Sequence, residues 1–399
     1  MSKVIIVCGA GGKTSYINNI SKKYKNKKVI ITTTTKIFKT ENYISHIDEE
    51  TFKNNNIITL GKEFDKDKLT YAGDKELKNA LRYADIIFIE ADGSKYHALK
   101  IPNDKEPVIP DFIINYISEI IVVMGVHAIG RKLSEVCYRY NLAKDLEYNK
   151  EVELDCIKYI AEKYYIKKLK DKYKNANIKL YLNDMTKKSV NNFNNFKKTA
   201  FIILASGSSK RFNGNKLLYQ FKSLNGKTLF ENTIERIYEV KKMINKDKKF
   251  KSIDIQILVI SIYDEILNKE FENKDYEAIY NENHNEGISG SIILGTKEAL
   301  KMNADSLAFF VCDNPFLKSD DIFMMLKYFY YSKKNIGSMY ANNSPSNPAI
   351  FSMKYKDDIL NLKGDNGALS IIKNNMKDAF FYTIDENKLK DIDMREDLD

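Results

Sequence analysis

Two segments of the chain open with the same hydrophobic pattern. Each has a short run of apolar, often β-branched residues, then a glycine-containing turn, then a stretch with helical spacing of apolar positions. The first segment reads VIIVCGAGGKTSYINNISKKY from Val4, and the second reads FIILASGSSKRF from Phe201. A strand followed by a glycine turn and a helix typically begins an α/β domain. The pattern therefore predicts one such domain in each half of the chain.

Further apolar runs of strand length follow both openings. They cover residues 29–35, 86–93, 120–125 and 178–184 in the first half, and 255–261, 306–313, 336–340 and 348–352 in the second. Lys-rich stretches of helical character separate several of them. Continuous apolar strands that alternate with helices are typical of parallel sheets covered on both faces. We therefore expect an α/β protein with two doubly wound domains.

The boundary between the two predicted domains lies near residue 195. Residues 191–198 read NNFNNFKK, a polar segment without periodicity that is typical of a linker. We expect an N-terminal domain over residues 1–190, a linker over 191–199 and a C-terminal domain over 200–399.

Composition narrows the class of protein. The 399 residues are 43% apolar, which suffices for ordinary globular cores. The formal net charge of +10 comes from lysines spread among asparagines, without the Arg-rich, aromatic-interleaved stripe that follows a nucleic-acid backbone. This pattern favours a solvated surface over nucleic-acid binding. The apolar run VIIVCG is too short for a signal peptide, and no run has the length of a membrane span. We expect a soluble, cytoplasmic protein that contacts no membrane.

The cysteines and histidines do not form a metal-binding pattern. The four cysteines stand far apart without a C-x-x-C pair, and the four histidines do not cluster with them. This spacing argues against a structural zinc site and against a disulfide framework.

The stretch LASGSSKRFNGNKLL, residues 204–218, has the features of a polyphosphate site. Gly207 and the small residues beside it allow backbone N–H groups to approach phosphates at the start of a helix. Arg211 and Lys216 add positive charge where a triphosphate needs it. A plain turn with basic surface residues is the alternative interpretation.

Two further features of the second half support a nucleotide site. The small-residue loop EGISGSIILG, residues 286–295, precedes a helix-like run and offers N–H and hydroxyl donors. Asp313 follows an apolar strand, the position at which ligands bind in open α/β sheets and where a carboxylate can hold Mg²⁺. The tail DIDMREDLD adds Asp391 and Asp393, either as a second metal ligand or as a solvated acidic end.

Together these residues resemble the molybdenum cofactor cytidylyltransferases, relatives of the glycosyltransferase-A-like nucleotidyltransferases. The motifs stand in family order over residues 200–399 and read LASGSSKRFNGNKLL, GISGSIILG, CDNPF, SNPAIFS, KGDNGA and DIDMREDL. Three positions depart from the family pattern: Ser206 replaces an alanine, Asn213 a glycine and Asn314 a glutamine. The resemblance implies a Rossmann-like (glycosyltransferase-A-like) nucleotidyltransferase fold for the C-terminal domain.

The resemblance also implies a reaction and a set of residues. The terminal phosphate of molybdopterin would attack the α-phosphate of CTP, with Mg²⁺ as cofactor and pyrophosphate as leaving group. Such a transfer depends mainly on positioning and on neutralising charge. The implied catalytic residues are Arg211, Lys216 and Asp313. The implied nucleotide-binding residues are Leu204, Ala205, Gly207, Lys216, Ser289 and Ser291, and the implied Mg²⁺ ligands are Asp313 and Asp393.

The N-terminal half opens with a shortened phosphate loop. Residues 9–15 read GAGGKTS and end in Gly-Lys-Thr, although the glycine that a full P-loop has six residues before its lysine is Val7 here. The loop follows a strand and opens a helix, which favours phosphate binding over a purely structural turn. The expected phosphate-binding residues are Gly9, Gly11, Gly12, Lys13 and Thr14.

A pair of carboxylates ends a later strand of the same half. The run IIFIEADGSK, residues 86–95, places Glu90 and Asp92 at a Walker-B-like position. There a carboxylate would face Mg²⁺, and we expect Thr14 and Glu90 to be the metal ligands. An ordinary acidic turn is the alternative interpretation.

Residues 1–184 resemble the YqeC-type accessory proteins of selenium-dependent molybdenum hydroxylases. The strings that carry the resemblance are GAGGKTS, TTTTKIF, EADGSKYHALKIP and EPVIP, in that order. The resemblance implies a P-loop-like accessory domain with ATP or GTP as ligand and a molybdenum hydroxylase apoenzyme as partner. Two alternatives stay open. The transferase would use GTP or a sugar-phosphate acceptor, or the N-terminal half would be a non-catalytic module for recruitment or cofactor delivery.

Overall fold

The structure, a computed structural model, describes residues 2–184, 196–207, 212, 214–268, 275–392 and 394. The chain divides into two compact units, Met1–Met185 and Thr186–Asp399. Within the described ranges no helix combines the length and the apolar character that a membrane span requires.

A seven-stranded parallel sheet forms the centre of the N-terminal unit. The strands of this unit are β1 (Lys3–Gly9), β2 (Val29–Thr33), β3 (Lys36–Phe38), β4 (Tyr43–Ile44), β5 (Ile57–Leu60), β6 (Lys62–Glu63), β7 (Lys68–Thr70), β8 (Ile86–Glu90), β9 (Leu99–Lys100), β10 (Ile117–Gly125), β11 (Cys137–Tyr138) and β12 (Asn177–Asn183). The main sheet has the order β12-β10-β1-β8-β2-β5-β4. β1 therefore lies in the interior of the sheet, between β8 and β10.

Helices cover both faces of this sheet. They are α1 (Lys13–Ser21), α2 (Asp74–Tyr83), α3 (Leu133–Val136), α4 (Leu154–Ala161) and α5 (Lys167–Lys172), with a π-helical turn over Glu162–Ile166 between the last two. Alternate residues of a strand point to opposite faces. Val4 and Ile6 of β1 accordingly join one apolar core, and Ile5 and Val7 join another. Burial on both faces explains why the central strands are continuous apolar runs.

A second seven-stranded sheet forms the centre of the C-terminal unit. Its strands and the flanking short ones are β13 (Lys198–Ala205), β14 (Gln220–Phe221), β15 (Lys227–Thr228), β16 (Asp254–Ser261), β17 (Glu277–Tyr280), β18 (Ser306–Val311), β19 (Ile336–Ala341), β20 (Ser344–Ser352) and β21 (Ala379–Thr383). The sheet order is β17-β16-β13-β18-β20-β19-β21. β13 begins at Lys198, inside the expected linker, and residues 191–195 of that linker lie outside the described residues.

The helices of the C-terminal unit stand between its strands along the chain. They are α6 (Leu229–Lys246), α7 (Asp264–Leu267), α8 (Ile288–Lys301), α9 (Ser319–Ser332), α10 (Lys356–Leu360) and α11 (Ala368–Asn374). α6 begins with a capping box, in which the Thr228 side chain accepts from the Glu231 amide and the Glu231 side chain accepts from the Thr228 amide. The sequence T-x-x-E is the pattern that such a box requires.

The expected fold, two doubly wound α/β domains, is confirmed, with one departure from wholly parallel sheets. β20 pairs antiparallel with both β18 and β19. The reason is the two-residue link between β19 and β20, in which Asn342 (φ 48°) and Asn343 (φ 60°) adopt left-handed conformations. Such a pair of residues forms the tight turn of a hairpin, and a hairpin joins antiparallel strands.

Candidate functional site

An open cleft of about 870 Å³ lies at the carboxyl edge of the C-terminal sheet. The neighbouring parallel strands β16, β13 and β18 end there, at Ser261, Ala205 and Val311. Ligands of open α/β sheets bind at this edge. The cleft brings together five residues that the sequence predicts for the site, namely Leu204, Gly207, Lys216, Ser291 and Asp313.

Two serine hydroxyl groups join the loop after β13 to the end of β16. Ser206 Oγ donates to the carbonyl of Ile260 (3.0 Å), and Ser261 Oγ donates to the carbonyl of Ala205 (3.1 Å). Ser206, a departure from the family pattern, therefore satisfies a backbone group of the neighbouring strand. The predicted nucleotide-binding residue Ala205 is fully buried, and its carbonyl is used in this contact between strands.

Gly207 faces open space at the start of the first loop. A Cβ atom built on it would meet no heavy atom of the described residues within 4 Å, so their packing does not require glycine there. Its carbonyl accepts a hydrogen bond from the Tyr263 hydroxyl at 2.6 Å, which holds the loop without filling the cleft. The predicted catalytic residue Arg211 lies outside the described residues.

Lys216 and Asp313 form an ion pair in the cleft. Lys216 Nζ lies 3.5 Å from Asp313 Oδ2 and also donates to the carbonyl of Ile392 at 2.7 Å. The Ile392 amide in turn donates to the Asp313 carbonyl at 3.0 Å. Ile392 is fully buried and belongs to the apolar cluster around Phe221 and Leu229. Ile392, in the C-terminal segment, thus anchors both predicted residues.

The described part of the acidic tail supports the loop that follows β18. Asp391 Oδ1 accepts a hydrogen bond from Asn314 Nδ2 at 2.5 Å, next to the predicted metal residue Asp313. Asp393 lies outside the described residues. Among the residues that the structure describes, no three His, Cys, Asp or Glu side chains come together as a metal site. Of Asp313 and Asp393, the two implied Mg²⁺ ligands, the structure describes Asp313.

The start of α8 forms another wall of the cleft. Gly287 precedes the helix with φ 78°, and a Cβ atom on it would lie 2.5 Å from Asp365 Oδ1. Ser291 lines the cleft, and its hydroxyl accepts a hydrogen bond from Asn281 Nδ2 at 2.9 Å. Ser289, predicted to line the pocket with Ser291, instead points its hydroxyl at the carbonyl of Glu286 at 3.3 Å.

The sequence did not indicate two residues that support the cleft-lining segments through hydrogen bonds. Asn281 is fully buried and orients Ser291, and Arg236 of α6 contacts the loop after β18. Asn281 follows the short strand β17 and Arg236 lies within an ordinary amphipathic helix, so neither carries a local signal. Only their contacts in the folded chain assign them to the site.

The glycine loop of the N-terminal unit follows β1. Gly9, Gly11 and Gly12 have φ values of 93°, 73° and 126°, which side chains rarely adopt. A Cβ atom on Gly9 would also lie 2.2 Å from the carbonyl oxygen of Val123 on β10. α1 begins directly after Gly12, so the loop presents the start of a helix as a phosphate loop does.

Lys13 is buried and turned back onto its own loop. Its Nζ atom donates to the carbonyl of Gly9 at 2.8 Å and lies 3.3 Å from Asp92 Oδ1 and 3.7 Å from Glu90 Oε1. Burial lowers the pKa of the ammonium, but the carboxylates of Asp92 and Glu90 outweigh this effect, and the net pKa is raised. Lys13 therefore remains charged as their counter-ion.

The two carboxylates at the end of β8 have different surroundings. Glu90 Oε2 accepts a hydrogen bond from Thr14 Oγ1 at 2.9 Å, so the two predicted metal ligands are adjacent. Burial raises the pKa of Glu90, an effect that the Lys13 charge partly offsets. Asp92 Oδ2 accepts from the Gly9 amide and the Tyr165 hydroxyl, both at 3.0 Å. Asp92 thus holds the glycine loop in place.

The chain matches two protein families. Residues 5–141 match the family described as YqeC protein, and residues 201–379 match the family described as MobA-like NTP transferase domain. No curated protein matches the chain significantly. The two ranges fall in the two halves in the expected order, and the predicted combination is confirmed.

Several solved structures resemble one half of the chain. The bifunctional IspDF from Campylobacter jejuni has 16% identity and a TM-score of 0.38, over 50% of this chain and 53% of that chain. Rv0371c from Mycobacterium tuberculosis H37Rv has 15% identity and a TM-score of 0.38, over 51% and 95%. Molybdopterin-guanine dinucleotide biosynthesis protein A from Archaeoglobus fulgidus has 15% identity and a TM-score of 0.34, over 50% and 94%.

Proposed function

We propose that this chain, a fusion of a YqeC domain with a MobA-like NTP transferase domain and hence a nucleotidyltransferase, transfers a cytidylyl group from CTP to molybdopterin. The observation that carries the proposal is the Lys216–Asp313 pair, 3.5 Å apart at the carboxyl edge of the sheet. A cation for phosphates and a carboxylate for a metal ion are the two charges that such a transfer needs side by side.

In the proposed reaction the terminal phosphate of molybdopterin is the nucleophile. One of its oxygens forms a bond to the α-phosphorus of CTP, and the bond from that phosphorus to the bridging oxygen breaks, so that pyrophosphate leaves. The products are the molybdopterin cytosine dinucleotide cofactor and pyrophosphate. A phosphate that is ionised at neutral pH needs no general base.

Different residues of the cleft would bind different parts of CTP. Lys216, released from the Ile392 carbonyl, would contact the triphosphate together with Arg211. Gly207 would let the phosphates approach the backbone, with Leu204 and Ala205 completing the strand end. The N-terminus of α8 lines the cleft, and the positive end of its helix dipole would favour an anionic group there.

The serines of α8 would act in different ways. Ser291 lines the cleft and accepts from Asn281, so its own proton is available to an acceptor atom of the nucleotide. Ser289 would act through the turn Glu286–Ile288 that its hydroxyl holds.

A Mg²⁺ ion fits the donor set at Asp313. The side chain is about one-third exposed at a strand end, and a carboxylate oxygen is the ligand that Mg²⁺ prefers. Asp393 would be the second ligand. When bound, the ion would neutralise charge on the phosphates. Lys216 would then keep the triphosphate aligned with the acceptor.

For the N-terminal domain we propose binding of ATP or GTP at the glycine loop. Lys13 would move from Asp92 to the phosphates, while Thr14 and Glu90, already in contact, would hold Mg²⁺. The domain would serve the maturation of a molybdenum hydroxylase apoenzyme. A non-catalytic recruitment module is the second candidate. The observation that favours it is the burial of Lys13 in ion pairs, which leaves its side chain only 3% exposed.

Pyrophosphate release tests the transferase. The purified chain is incubated with each nucleoside triphosphate, with and without molybdopterin. CTP-selective release that depends on molybdopterin, and that is lost in Asp313→Ala but kept in the exposed control Asp320→Ala, supports the proposal. GTP-selective release would contradict it.

Equilibrium binding of ATP and GTP tests the N-terminal domain. Mg²⁺-dependent binding that Lys13→Ala weakens would support the nucleotide site. Binding that is absent, or that the substitution leaves unchanged, would favour the recruitment module.

A further inference from the structure

One face of α6 holds the loop that carries Asp313. This loop, Cys312–Leu317, connects β18 to α9 without regular hydrogen bonding, so its buried carbonyl groups need donors from elsewhere. Arg236 supplies two of them. Its Nη1 atom donates to the carbonyl of Asn314 at 2.5 Å and to the carbonyl of Leu317 at 2.7 Å.

Two neighbours on α6 complete this clamp. Asn232 Nδ2 donates to the carbonyl of Pro315 at 3.3 Å, and Thr233 Oγ1 donates to the carbonyl of Cys312 at 3.4 Å. Arg236 braces both, because its Nε donates to the Asn232 carbonyl (3.2 Å) and its Nη2 to Thr233 Oγ1 (2.9 Å). The three side chains share a face since residues one helical turn apart are neighbours. One helix therefore satisfies four carbonyl groups of one loop.

The same loop is held on its other side by the C-terminal segment. Asn314 Nδ2 donates to the carbonyl of Leu389 at 3.1 Å and to Asp391 Oδ1 at 2.5 Å. The Ile392 amide donates to the carbonyl of Asp313 at 3.0 Å. Every one of these contacts fixes backbone or amide groups, and none uses the carboxylate of Asp313, which lines the cleft.

We propose that Arg236 is a positioning residue for the C-terminal site, which fixes the Asp313 carboxylate where the metal–nucleotide complex binds. The inference rests on the proposed function, since it takes Asp313 as the metal ligand. Arginine suits the role because its planar guanidinium presents several donors in a fixed geometry, whereas the ammonium of lysine is a single point. Burial lowers the pKa of Arg236 to about 10, which leaves it protonated at neutral pH.

The test compares Arg236→Lys with Glu235→Gln in the full chain. Glu235 is the matched control, since it is the adjacent residue of α6 and pairs with Lys227 outside the clamp. In Arg236→Lys, Mn²⁺ binding followed by electron paramagnetic resonance is expected to weaken by about 10- to 100-fold, as when a group that orients a metal ligand is removed. The kcat for CTP is expected to fall by a similar factor with little change in KM. Thr233→Val and Asn232→Ala, which remove longer contacts, should have smaller effects.

Amide hydrogen exchange over residues 312–317 separates positioning from simple loss of structure. We expect faster exchange in Arg236→Lys and an unchanged rate in Glu235→Gln. Exchange at the wild-type rate in Arg236→Lys would overturn the inference, because the clamp would not hold the loop. Faster exchange with wild-type Mn²⁺ affinity and kcat would also overturn it, because the contacts would then be structural only.

Two controls separate this inference from the proposed function. If the wild-type chain binds Mn²⁺ at Asp313 but turns over no CTP, the proposed reaction fails, and the Mn²⁺ affinities still decide the role of Arg236. If Asp313→Ala keeps every Mn²⁺ site of the wild-type chain with unchanged affinities, Asp313 is not a metal ligand and the inference is overturned.

Discussion

Lys216 and Asp313 come from different loops, and the fold places Lys216 Nζ 3.5 Å from Asp313 Oδ2. Both are tied to Ile392, the lysine through its ammonium and the aspartate through its carbonyl. The position of neither charged group is therefore determined by its local sequence alone. Their proximity makes them one unit, and substitutions at the two positions should not act independently.

We predict that Lys216→Met and Asp313→Asn each lower kcat/KM for CTP by about 10²- to 10³-fold, the usual cost of removing one charge-stabilising group. The double variant should lose clearly less than the product of the two single effects, because the residues act together. Steady-state pyrophosphate release measures all three. Lys222→Met, at an exposed position of the same domain, is the control and should keep wild-type activity. Multiplicative losses in the double variant would contradict the prediction.

A second prediction concerns the contact between Thr14 and Glu90. Since the Thr14 hydroxyl donates to Glu90 Oε2 at 2.9 Å, we expect both to serve one metal ion. Thr14→Val should weaken Mg²⁺-dependent binding of ATP or GTP by about 10- to 100-fold and leave binding without Mg²⁺ nearly unchanged. Titration calorimetry at two Mg²⁺ concentrations measures the difference. Thr51→Val, whose hydroxyl bonds only locally to Asp48, is the control. Equal losses with and without Mg²⁺ would argue against a metal role.

A third prediction concerns the packing of α8 on β13. A Cβ atom on Gly295 would lie 2.5 Å from Ile202 Cγ2. The gain in helix propensity from Gly295→Ala is about 1 kcal/mol, but overpacking a core costs about 1–3 kcal/mol. We expect a net loss of about 1 kcal/mol in the free energy of unfolding, since β-branched Ile202 cannot move aside easily.

Urea unfolding measures this loss. Gly367→Ala is the control, because its Cβ atom would meet Ile288 Cγ2 at an ordinary 3.7 Å. Adding Ile202→Ala should make the two effects less than additive, since it removes the clashing atom. A Gly295→Ala variant that is more stable than the wild type would show that Ile202 does adjust.

A fourth prediction concerns the pH dependence of stability. Burial, and second the charge of Arg131, lower the pKa of His127 to about 4. The unfolded chain, with an imidazole pKa of about 6.5, binds more protons than the folded chain between these values. Stability should therefore fall as the pH drops from about 6.5 towards 4, by up to about 3 kcal/mol from this residue.

The measurement is the free energy of unfolding in urea at pH 7.5 and pH 5. His127→Gln should flatten the decrease between the two values, because the glutamine takes up no proton. An unchanged pH dependence in His127→Gln would assign the acid sensitivity to other groups.

Much of the fold was predictable because it depends on local patterns. Continuous apolar runs such as Ile86–Glu90 and Ser306–Val311 are strands at the positions that the sequence indicates. The direction of β20 was not predictable in this way. The apolar run of Pro348–Ser352 is equally compatible with either direction, and the left-handed pair Asn342 and Asn343 decides it.

In the candidate sites, too, the local features were predictable and the contacts between distant segments were not. Glycine loops and strand-end carboxylates are local features, so the sequence indicates Gly207, Asp313 and the loop of Lys13 directly. The partners of these residues come from distant segments. Ile392 holds Lys216, and Arg236 holds the loop of Asp313, through backbone carbonyl groups that have no signature in the sequence.

By itself, the sequence predicted two α/β domains, their order, the families that they resemble and the residue types expected to carry phosphate and metal chemistry. These follow from hydrophobic periodicity and short motifs, which act over one strand, turn and helix. Only the tertiary structure decided that Lys13 is the buried counter-ion of Asp92 and Glu90, that Asp391 contacts Asn314, and that Ser291 rather than Ser289 lines the cleft. The physical reason is that an ion pair or hydrogen bond depends on the distance between two atoms. The folded chain sets that distance through elements far apart in sequence.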